Sequence, residues 1–415
     1  MTGGTIVGAV TQGAGIDTFT MTGGQIQSLA QGDARDTFFM SSGTIVGNIS
    51  VSGGDDQVTV TGGRVIGDIR TSFGNDTFVW DGGGVINGNI LMGNGTGIDT
   101  AALRNLTSAN MGPTLVIDGG FGVSHLSFDN VVTDGVSRFQ DWETFAVANG
   151  SQLTFDGNLV LGDASTGTGS FSVDSSSTLF GGNGVNPQIS PAVAGQLVTF
   201  SNAGAIDLSN GPVSAADSFT IVGNYIGMGG HLNLQTILGT DNSPSDKLAV
   251  SGGSASGTTN VGVTNVGGSG GLTLNNGILV VQAVDGGTTA PGAFSLAGGS
   301  VSAGAYQYYL FRGGATGGTA NNWYLRSNLA PTPPGVPSPQ PAPGTPPLPT
   351  ASETPIPLYR PETALYSAVP ALARQVGYAS LGTFHERQGE QSLLKGNGPA
   401  SAAWGRALGK HTDQQ

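Results

Sequence analysis

Five aspartates recur along the first hundred residues at a spacing that could build a cation site. Each is followed by a polar residue and then an apolar one, and they are Asp17, Asp36, Asp56, Asp76 and Asp99. The stretch GNDTF at 74–78 looks like half of a calcium-binding nonapeptide, in which carbonyls and carboxylates of adjacent turns enclose the ion. That motif returns about every nine residues, whereas these aspartates are 19 to 23 residues apart. We therefore predict that they cap turns by bonding the next backbone amides, with weak calcium binding as the alternative.

Histidines and serines could instead form a hydrolytic site. A Ser-His-Asp triad needs a histidine beside a nucleophilic serine, and the chain has four histidines, at His125, His231, His385 and His411. No GDSG stretch is present, and the carboxylates Asp241 and Asp246 are expected to be solvated in a loop. We predict no catalytic residue, no cofactor and no enzymatic activity. A protease or esterase site around His125 or His231 is the alternative.

A repeat of about twenty residues must position all of these side chains. Within each copy apolar residues alternate with Thr, Gln or Ser, as in DTFTMTGG and DQVTVTGG, which predicts strands separated by turns. Such a period is typical of a solenoid, because one coil cannot bury its own apolar face and needs its neighbours. We predict an all-β fold, a right-handed parallel β-helix. Its marker columns are Gly4, Gly24, Gly43, Gly63 and Gly83, followed two positions later by Ile6, Ile26, Ile45, Val65 and Val85.

Composition excludes several classes of protein. The chain has 72 glycines among 415 residues, a charged fraction of 10% and a net charge of −13, so basic clusters for nucleic acid are lacking. It has no cysteine, which excludes disulfides and thiolate metal sites. No apolar run of eighteen residues is present. The first residues lack a secretory signal and begin inside a repeat, so we expect a fragment.

The character of the chain changes along its length. We assign residues 1–212 to β-helix repeats, with RFQDWETFAV around Trp142 as a short insertion, and residues 213–330 to a cap of aliphatic strands. Residues 331–357 hold 12 of the 21 prolines and are predicted to be a semi-rigid, extended spacer rather than a folded element. Residues 358–392 read as a helix that starts near Glu362 and is kinked at Pro370.

This order resembles a classical, pertactin-like bacterial autotransporter of the type V secretion class. The segment GNYIGMGGHLNLQTILGTDNSPSDKLAVSGG is similar to the autochaperone region of such passengers. PIPLYRPETALYSAVPALARQVGYASLGTFHERQGEQ is similar to the linker helix in the pore, and AAWGRALG to the first strand of the barrel, here truncated at 400–415. The resemblance implies a passenger displayed on the outer membrane of a Gram-negative bacterium. It also implies self-delivery through the outer-membrane β-barrel of the same full-length chain, helped by outer-membrane assembly machinery and periplasmic chaperones.

The resemblance further implies an adhesin, or a protein of cell–cell aggregation, that contacts a host surface, extracellular matrix or itself. The alternatives are a calcium-stabilised repeat protein or a hydrolase carried on the same β-helix. The cap would template the folding of the coils, and we expect its core to contain Tyr225, Leu234, Leu238, Leu248, Tyr309, Trp323 and Tyr324. A charged residue at one of these positions is expected to stall export.

Overall fold

The computed structural model describes residues 1–381 except 94, 96, 330, 332–333 and 351–353. It divides into two compact units, Met1–Leu358 and Tyr359–Gln415. In the first unit, 32 of the described strands join one sheet, and the coils pair in parallel from each turn of the solenoid to the next. The predicted all-β, parallel β-helical architecture is confirmed. The predicted barrel strand at 400–415, the helix beyond residue 381, His385 and His411 lie outside the described residues.

The upstream coils contain most of the strands, together with a one-turn helix α1 at Ser108–Met111 and a 3₁₀ turn at Val136–Arg138. In chain order the strands are β1 Thr2–Thr11, β2 Thr18–Ala30, β3 Thr37–Ile45, β4 Ile49–Ser50, β5 Gln57–Val60, β6 Arg64–Val65, β7 Ile69–Arg70, β8 Thr77–Asp81, β9 Val85–Ile86, β10 Ile90–Leu91, β11 Ile98–Arg104, β12 Ile117–Asp118, β13 Val123–Asp129, β14 Val132–Thr133, β15 Phe139–Gln140, β16 Thr144–Ala148, β17 Gln152–Thr154, β18 Leu159–Leu161, β19 Ser170–Val173, β20 Thr178–Phe180, β21 Gln188–Pro191, β22 Val198–Asn202 and β23 Ala205–Asp207.

The downstream part of the first unit has longer strands and a 3₁₀ turn at Ala297–Gly299. Its strands are β24 Ser218–Thr236, β25 Lys247–Asn265, β26 Ile278–Val284, β27 Thr288–Thr289, β28 Phe294–Leu296, β29 Val301–Ala303, β30 Tyr306–Arg312, β31 Trp323–Arg326, β32 Asn328–Leu329, β33 Gln340–Pro341 and β34 Ile356–Pro357.

The core consists of apolar columns that run from coil to coil. Because strand side chains alternate between faces, every second residue points inward and meets its Cα partner in the next coil. One column pairs Phe19 with Phe38 and continues to Phe145, Phe171 and Phe200. The rings of Phe171 and Phe200 stack with centroids 5.4 Å apart and planes 3° apart. This repeated stacking explains why the same residue types return in the sequence.

The marker columns are correct for four coils and wrong for the fifth. Val65 pairs with Ile86, not with Val85, and Val85 pairs with Arg64 on the outward side. The positive φ of this turn, 82° at Gly63, returns at Gly84 with 81°. The coil is therefore one residue longer here, and three consecutive glycines hid the shift from a count of the spacing.

The predicted insertion around Trp142 is instead a regular coil. Phe139–Gln140 pairs with Ile117–Asp118, and Thr144–Ala148 pairs with the strand before it in the main column. Trp142 is buried and its indole N–H donates to the Ile117 carbonyl at 2.9 Å. Gln140 is exposed between the buried rings of Phe139 and Trp142, whereas the Arg138 guanidinium donates to the Gly135 carbonyl at 3.0 Å.

The strand direction changes near the end of the first unit. The strands β24 and β25 pair in parallel along most of their 19-residue lengths. Downstream of them β31 pairs antiparallel with both β26 and β30, and β29 pairs antiparallel with β30. An antiparallel hairpin laid beside parallel coils ends the solenoid, because its next edge is no longer a template for another coil.

The Pro-rich segment differs from its prediction. Gln340–Pro341 pairs antiparallel with β30, and Ile356–Pro357 pairs antiparallel with Asn328–Leu329. Ala342 and Leu358 are 4% and 6% exposed. The expectation that this segment is not a folded element is therefore wrong for these pieces, which found apolar partners that composition alone does not reveal.

The second unit contains helix α2, Glu362–Leu381, with Pro370 inside it. Leu365, Tyr366 and Val369 are exposed on it. None of the described helices is long and apolar enough to cross a membrane.

Candidate interaction surface and buried carboxylate column

One outward column of the main sheet forms a continuous stripe without lysine, arginine, aspartate or glutamate, called here the hydroxyl stripe. Its members are successive Cα partners, so their side chains repeat about every 4.8 Å along the stack. They are Thr18, Thr37, Gln57, Thr77, Thr100, His125, Thr144, Ser170 and Thr199. Hydroxyls both donate and accept hydrogen bonds, so the stripe offers many weak, evenly spaced contacts.

A second outward column runs beside the hydroxyl stripe. Its members are also small or uncharged, namely Thr20, Phe39, Thr59, Val79, Ala102, Ser127, Ala146, Ser172 and Ser201. The two columns together give a flat face without lysine, arginine, aspartate or glutamate. Binding to such a face would depend little on salt, since screening acts on charges.

The predicted aspartates form a column that crosses between coils. The Asp36 carboxylate accepts the backbone N–H of Asp17 at 2.8 Å, and the same bond joins Asp56 to the Asp36 N–H at 2.7 Å. Asp76 and Asp99 continue the column, accepting the N–H of the preceding aspartate at 2.9 and 2.8 Å. Each carboxylate thus ties two coils together, whereas the turn-capping prediction had it bonding its own turn.

Burial makes three of these carboxyl groups weaker acids than an exposed aspartate. The Asp56, Asp76 and Asp99 side chains are at most 4% exposed. Desolvation raises the pKa of each to about 6, although the hydrogen bond from the neighbouring amide opposes the shift. The second oxygen of Asp36, Asp56 and Asp76 is buried without a hydrogen-bond partner. A proton on that oxygen removes the cost of a buried charge, so Asp56 and Asp76 hold a proton to a higher pH than an exposed aspartate does.

The same arrangement returns near the cap, where the sequence did not predict it. Asp246 was expected to be solvated, but it is fully buried and accepts the N–H groups of Asp217 at 2.9 Å and Gln235 at 2.7 Å. Desolvation raises the pKa of Asp246 to about 6. The sequence signal was available, because Asp217 and Asp246 each precede an alternating strand just as Asp36 does.

The geometry of the aspartate column does not resemble a calcium site. Within the described part of the chain, no three His, Cys, Asp or Glu side chains are placed to hold a metal. One oxygen of each column member from Asp36 to Asp99 already accepts an amide N–H. A calcium ion needs six to eight oxygens converging on one point, and carboxylates strung along the stack do not converge.

Calcium is therefore expected to leave the stability of the chain unchanged. Thermal unfolding of the full chain, followed by circular dichroism, should give the same midpoint in 1 mM EDTA and in 1 mM CaCl₂ to within about 1 °C. A ligand present at ~1,000 times its Kd would add about 4 kcal/mol, which corresponds to a shift of many degrees. A large shift that saturates with calcium would restore the column as a metal site.

The two described histidines do not assemble a catalytic site. His125 lies in the hydroxyl stripe between Thr100 and Thr144, whereas His231 lies exposed within β24, where its Cα partner is Ala205. These are different columns of the solenoid. GGSGG at 267–271 matches a nucleophile elbow by its letters, but Ser269 lies in an irregular segment after a strand rather than at a strand-to-helix turn.

The predicted cap residues lie in two places. Tyr225, Leu234, Leu238, Leu248 and Trp323 are fully buried in the main core. Tyr309 instead packs against a second cluster formed by Phe311, Leu329 and Leu358. Tyr324 is 5% exposed, and its hydroxyl accepts the side-chain amide of Asn322 at 3.1 Å.

A buried polar network around Tyr225 was not predicted. Its hydroxyl lies 2.7 Å from the Thr259 hydroxyl and accepts the side-chain amide N–H of Asn202 at 3.1 Å. All three residues are at most 1% exposed. The available signal was Asn202 itself, which ends LVTFSN at a position where earlier coils carry an apolar residue. Such a network favours one register, since any slip leaves buried polar groups unpaired.

One family of known proteins matches the downstream part of the first unit. A family model described as Autochaperone Domain Type 1 matches residues 195–310. The match begins at the coil of β22 and ends within β30, so it includes β24, β25 and the start of the antiparallel hairpin. It overlaps most of the cap expected at 213–330.

Three relatives of the chain are named as autotransporters. The chain is 33% identical over 332 residues, 77% of its length, to the adhesin BmaC autotransporter of Brucella suis biovar 1 (strain 1330). It is 37% identical over 217 residues, 51% of its length, to the probable autotransporter YfaL of Escherichia coli (strain K12). It is 33% identical over 198 residues, 47% of its length, to the autotransporter adhesin AIDA-I of Escherichia coli.

These alignments cover 9%, 16% and 13% of the three relatives, so the chain spans less than a fifth of each. The comparisons indicate display at the outer membrane or cell surface of a Gram-negative bacterium. The comparisons support a classical autotransporter passenger with an autochaperone region.

Proposed function

We propose that this passenger segment acts as an adhesin without enzymatic activity, and that the hydroxyl stripe makes its contacts. The observation that carries the proposal is the stripe, whose nine stacked positions contain no lysine, arginine, aspartate or glutamate. A long array of equivalent weak sites gains avidity when the partner surface is also repetitive. Two relatives bear the name adhesin.

The partner that fits best is a repetitive polar surface, either extracellular matrix, a host surface or another copy of this chain. A flat face of hydroxyls has no pocket for a small ligand, and it has no charge that would select an ionic one. The β-barrel of the same full-length chain, the outer-membrane assembly machinery and periplasmic chaperones are proposed as the partners of delivery.

The cap is proposed to act before adhesion, as the template on which the coils fold. Its support is the long parallel pairing of β24 with β25 above a fully buried core. A stable first coil removes the cost of starting a stack, because every later coil then adds to an existing edge.

A charge-substitution experiment tests the stripe. Latex beads coated with the full chain are compared with beads coated with a triple variant, Thr37→Lys, Thr77→Lys and Thr144→Lys. We expect bead aggregation and binding to matrix-coated plates to fall at least tenfold (~1.4 kcal/mol or more), because cations on the stripe desolvate poorly and repel a second copy. The three sites are not adjacent in the stack, so the lysines do not destabilise each other directly.

The matched control puts lysines on another outward column. Gln152→Lys, Ala205→Lys and Asn260→Lys lie on one such column, and none of them is the direct Cα partner of another. Both variants should keep the far-UV circular dichroism spectrum of the parent. Unchanged adhesion of the stripe variant, or an equal loss in the control, would contradict the assignment of contacts to the stripe.

A further inference from the structure

The outer face of the cap is occupied by a segment of the chain that follows it. We propose that this face is a polyproline-binding surface, and that residues 338–349 and 356–358 are its ligand, docked in cis as a releasable strap. The face belongs to the antiparallel pair β30–β31, whose other face closes the solenoid core with Leu310 and Leu325. These two stretches together are called the strap.

Backbone pairing holds the strap at two points. Gln340–Pro341 pairs antiparallel with β30, and the Ala342 N–H donates to the Leu310 carbonyl at 2.9 Å. Leu358 bridges two strands, since its N–H donates to Ser327 at 2.8 Å and its carbonyl accepts from Gln307 at 2.9 Å. Proline has no N–H to donate, so the strap cannot form a continuous ladder. The backbone alone therefore holds it weakly.

Apolar contacts supply the recognition. Phe311, Leu329 and Leu358 form a cluster separate from the main core, with Tyr309, Leu348 and Ile356 packed against it. Beside them lies an open cavity of about 410 Å³, lined by Phe311 and Leu329 and by the prolines Pro339, Pro341, Pro346, Pro347 and Pro349. Aromatic-lined grooves are the usual receptors for proline-rich chains, which lose little entropy on docking.

A buried cation beside this cluster opposes docking. Arg326 is 1% exposed, and its guanidinium carbon lies 5.7 Å from the centre of the Phe311 ring. Among the residues that the structure describes, its Nε has no hydrogen-bond partner, and neither does the buried side-chain amide nitrogen of Asn328. Burial lowers the pKa of Arg326, although Asp241 counteracts this. Because an incompletely paired buried charge is costly, the docked state is held less firmly than an all-apolar groove would hold it.

Release would change the length of the connection between the cap and helix α2. A free extended stretch of twenty residues reaches about 60 Å, whereas the docked strap runs back along β30 and β32. Docking of the strap therefore shortens the connection, and the cost of the buried Arg326 charge sets how readily the strap is released.

Hydrogen exchange on the full chain, read by mass spectrometry, tests the release. Arg326→Met removes the buried charge and keeps the side-chain length, so exchange of the amides at Ala342 and Leu358 should slow about tenfold. Phe311→Ala should speed it by at least tenfold, because it removes the ring that faces the strap. The matched controls are the exposed residues Arg104→Met and Phe73→Ala, and both should leave these amides unchanged. Faster or equal exchange in Arg326→Met would overturn the assigned role of Arg326.

A disulfide tests whether the strap docks in cis. The chain has no cysteine, so any disulfide in the double variant Leu329→Cys with Ile356→Cys must involve the two introduced cysteines. It forms either within one chain or between two chains. These residues are antiparallel Cα partners, and such pairs lie within the Cα separation that a disulfide needs. Oxidised monomer on a non-reducing gel is the expected product. Reduced monomer would refute the docking, and disulfide-linked dimer would refute docking in cis.

Discussion

Replacing Trp323 with alanine is expected to destabilise the cap by about 3–5 kcal/mol, enough to unfold it in a marginal protein. Trp323 is fully buried, and its ring meets Phe294 edge-on with centroids 5.4 Å apart. Its indole N–H donates to the Thr289 hydroxyl at 3.0 Å. Truncation would therefore leave a cavity and remove one hydrogen bond from the Thr289 hydroxyl, which still donates to the Asn321 carbonyl at 2.8 Å. The damage falls at the strand that joins the parallel coils to the antiparallel hairpin.

The consequence for the coils separates a template from an ordinary domain. If the cap templates folding, refolding of Trp323→Ala from denaturant should leave residues 18–104 unprotected from hydrogen exchange, although the substitution lies far along the chain. Phe73→Ala is the matched control, because Phe73 is 64% exposed and belongs to an upstream turn. It should refold like the parent. Normal refolding of the upstream coils in Trp323→Ala would contradict templating.

Acidification from pH 7.5 to pH 4.5 is expected to stabilise the upstream coils. Asp56, Asp76 and Asp99 have folded pKa values of about 6, against about 3.8 for the unfolded chain. Between those values the folded state holds protons that the unfolded state releases. The free energy of unfolding therefore falls as pH rises through 6, and is highest near and below pH 4.

The size of the effect follows from the column. Each side chain is nearly inaccessible to solvent but lies close beneath the surface, where water still screens it, so we expect about 1 kcal/mol per carboxyl group rather than the full shift. Three such groups give about 3 kcal/mol between pH 4.5 and pH 7.5. Hydrogen exchange of residues 18–104, corrected for intrinsic rates at each pH, measures this locally.

A single substitution isolates the charge. Asp76→Asn keeps an acceptor for the Asp56 N–H but cannot ionise, so its effect on the stability of the coils should be about 1 kcal/mol more favourable at pH 7.5 than at pH 4.5. The cost of the buried, unpaired amide N–H groups is the same at both pH values and cancels in this difference. The control, Asp163→Asn, should instead destabilise the coils at pH 7.5. Burial alone would raise the pKa of Asp163, but hydrogen bonds from the Thr166 and Gly122 amides outweigh it and lower the pKa to about 2. Coils that gain stability as pH rises from 5 to 7.5 would show that the column is ionised and compensated.

Periodicity was sufficient to predict the solenoid, because the core columns repeat the same residue types. Phe19, Phe38 and Phe78 face one another along the stack for the same reason that they recur in the sequence. The spacing of the glycine column gave the wrong residue at Gly83, because the adjacent glycines make two alignments equally good. The prediction of an insertion around Trp142 was also wrong, because a run of polar residues there interrupts the apolar alternation. Local pattern fixes which residues alternate, but not which coil gains a residue.

Contacts between distant segments could not be predicted in this way. Asp246 looked like a loop residue because its partners, the amides of Asp217 and Gln235, lie 29 and 11 residues away. The Pro-rich segment has the composition of a spacer, and only the apolar face of Phe311 and Leu329 gives it a place to dock. In both cases the deciding energy is burial against a surface that exists only after the coils are stacked.

Pulsed hydrogen exchange during refolding of the full chain tests the central claim, that the cap folds first and the coils add to it. The chain is diluted from denaturant, pulsed with deuterium at successive times and digested for mass spectrometry. We expect peptides from residues 218–329 to be protected before those from 18–104, with the coils between them protected at intermediate times. Protection that appears first in residues 18–104, or at once along the whole stack, would contradict it.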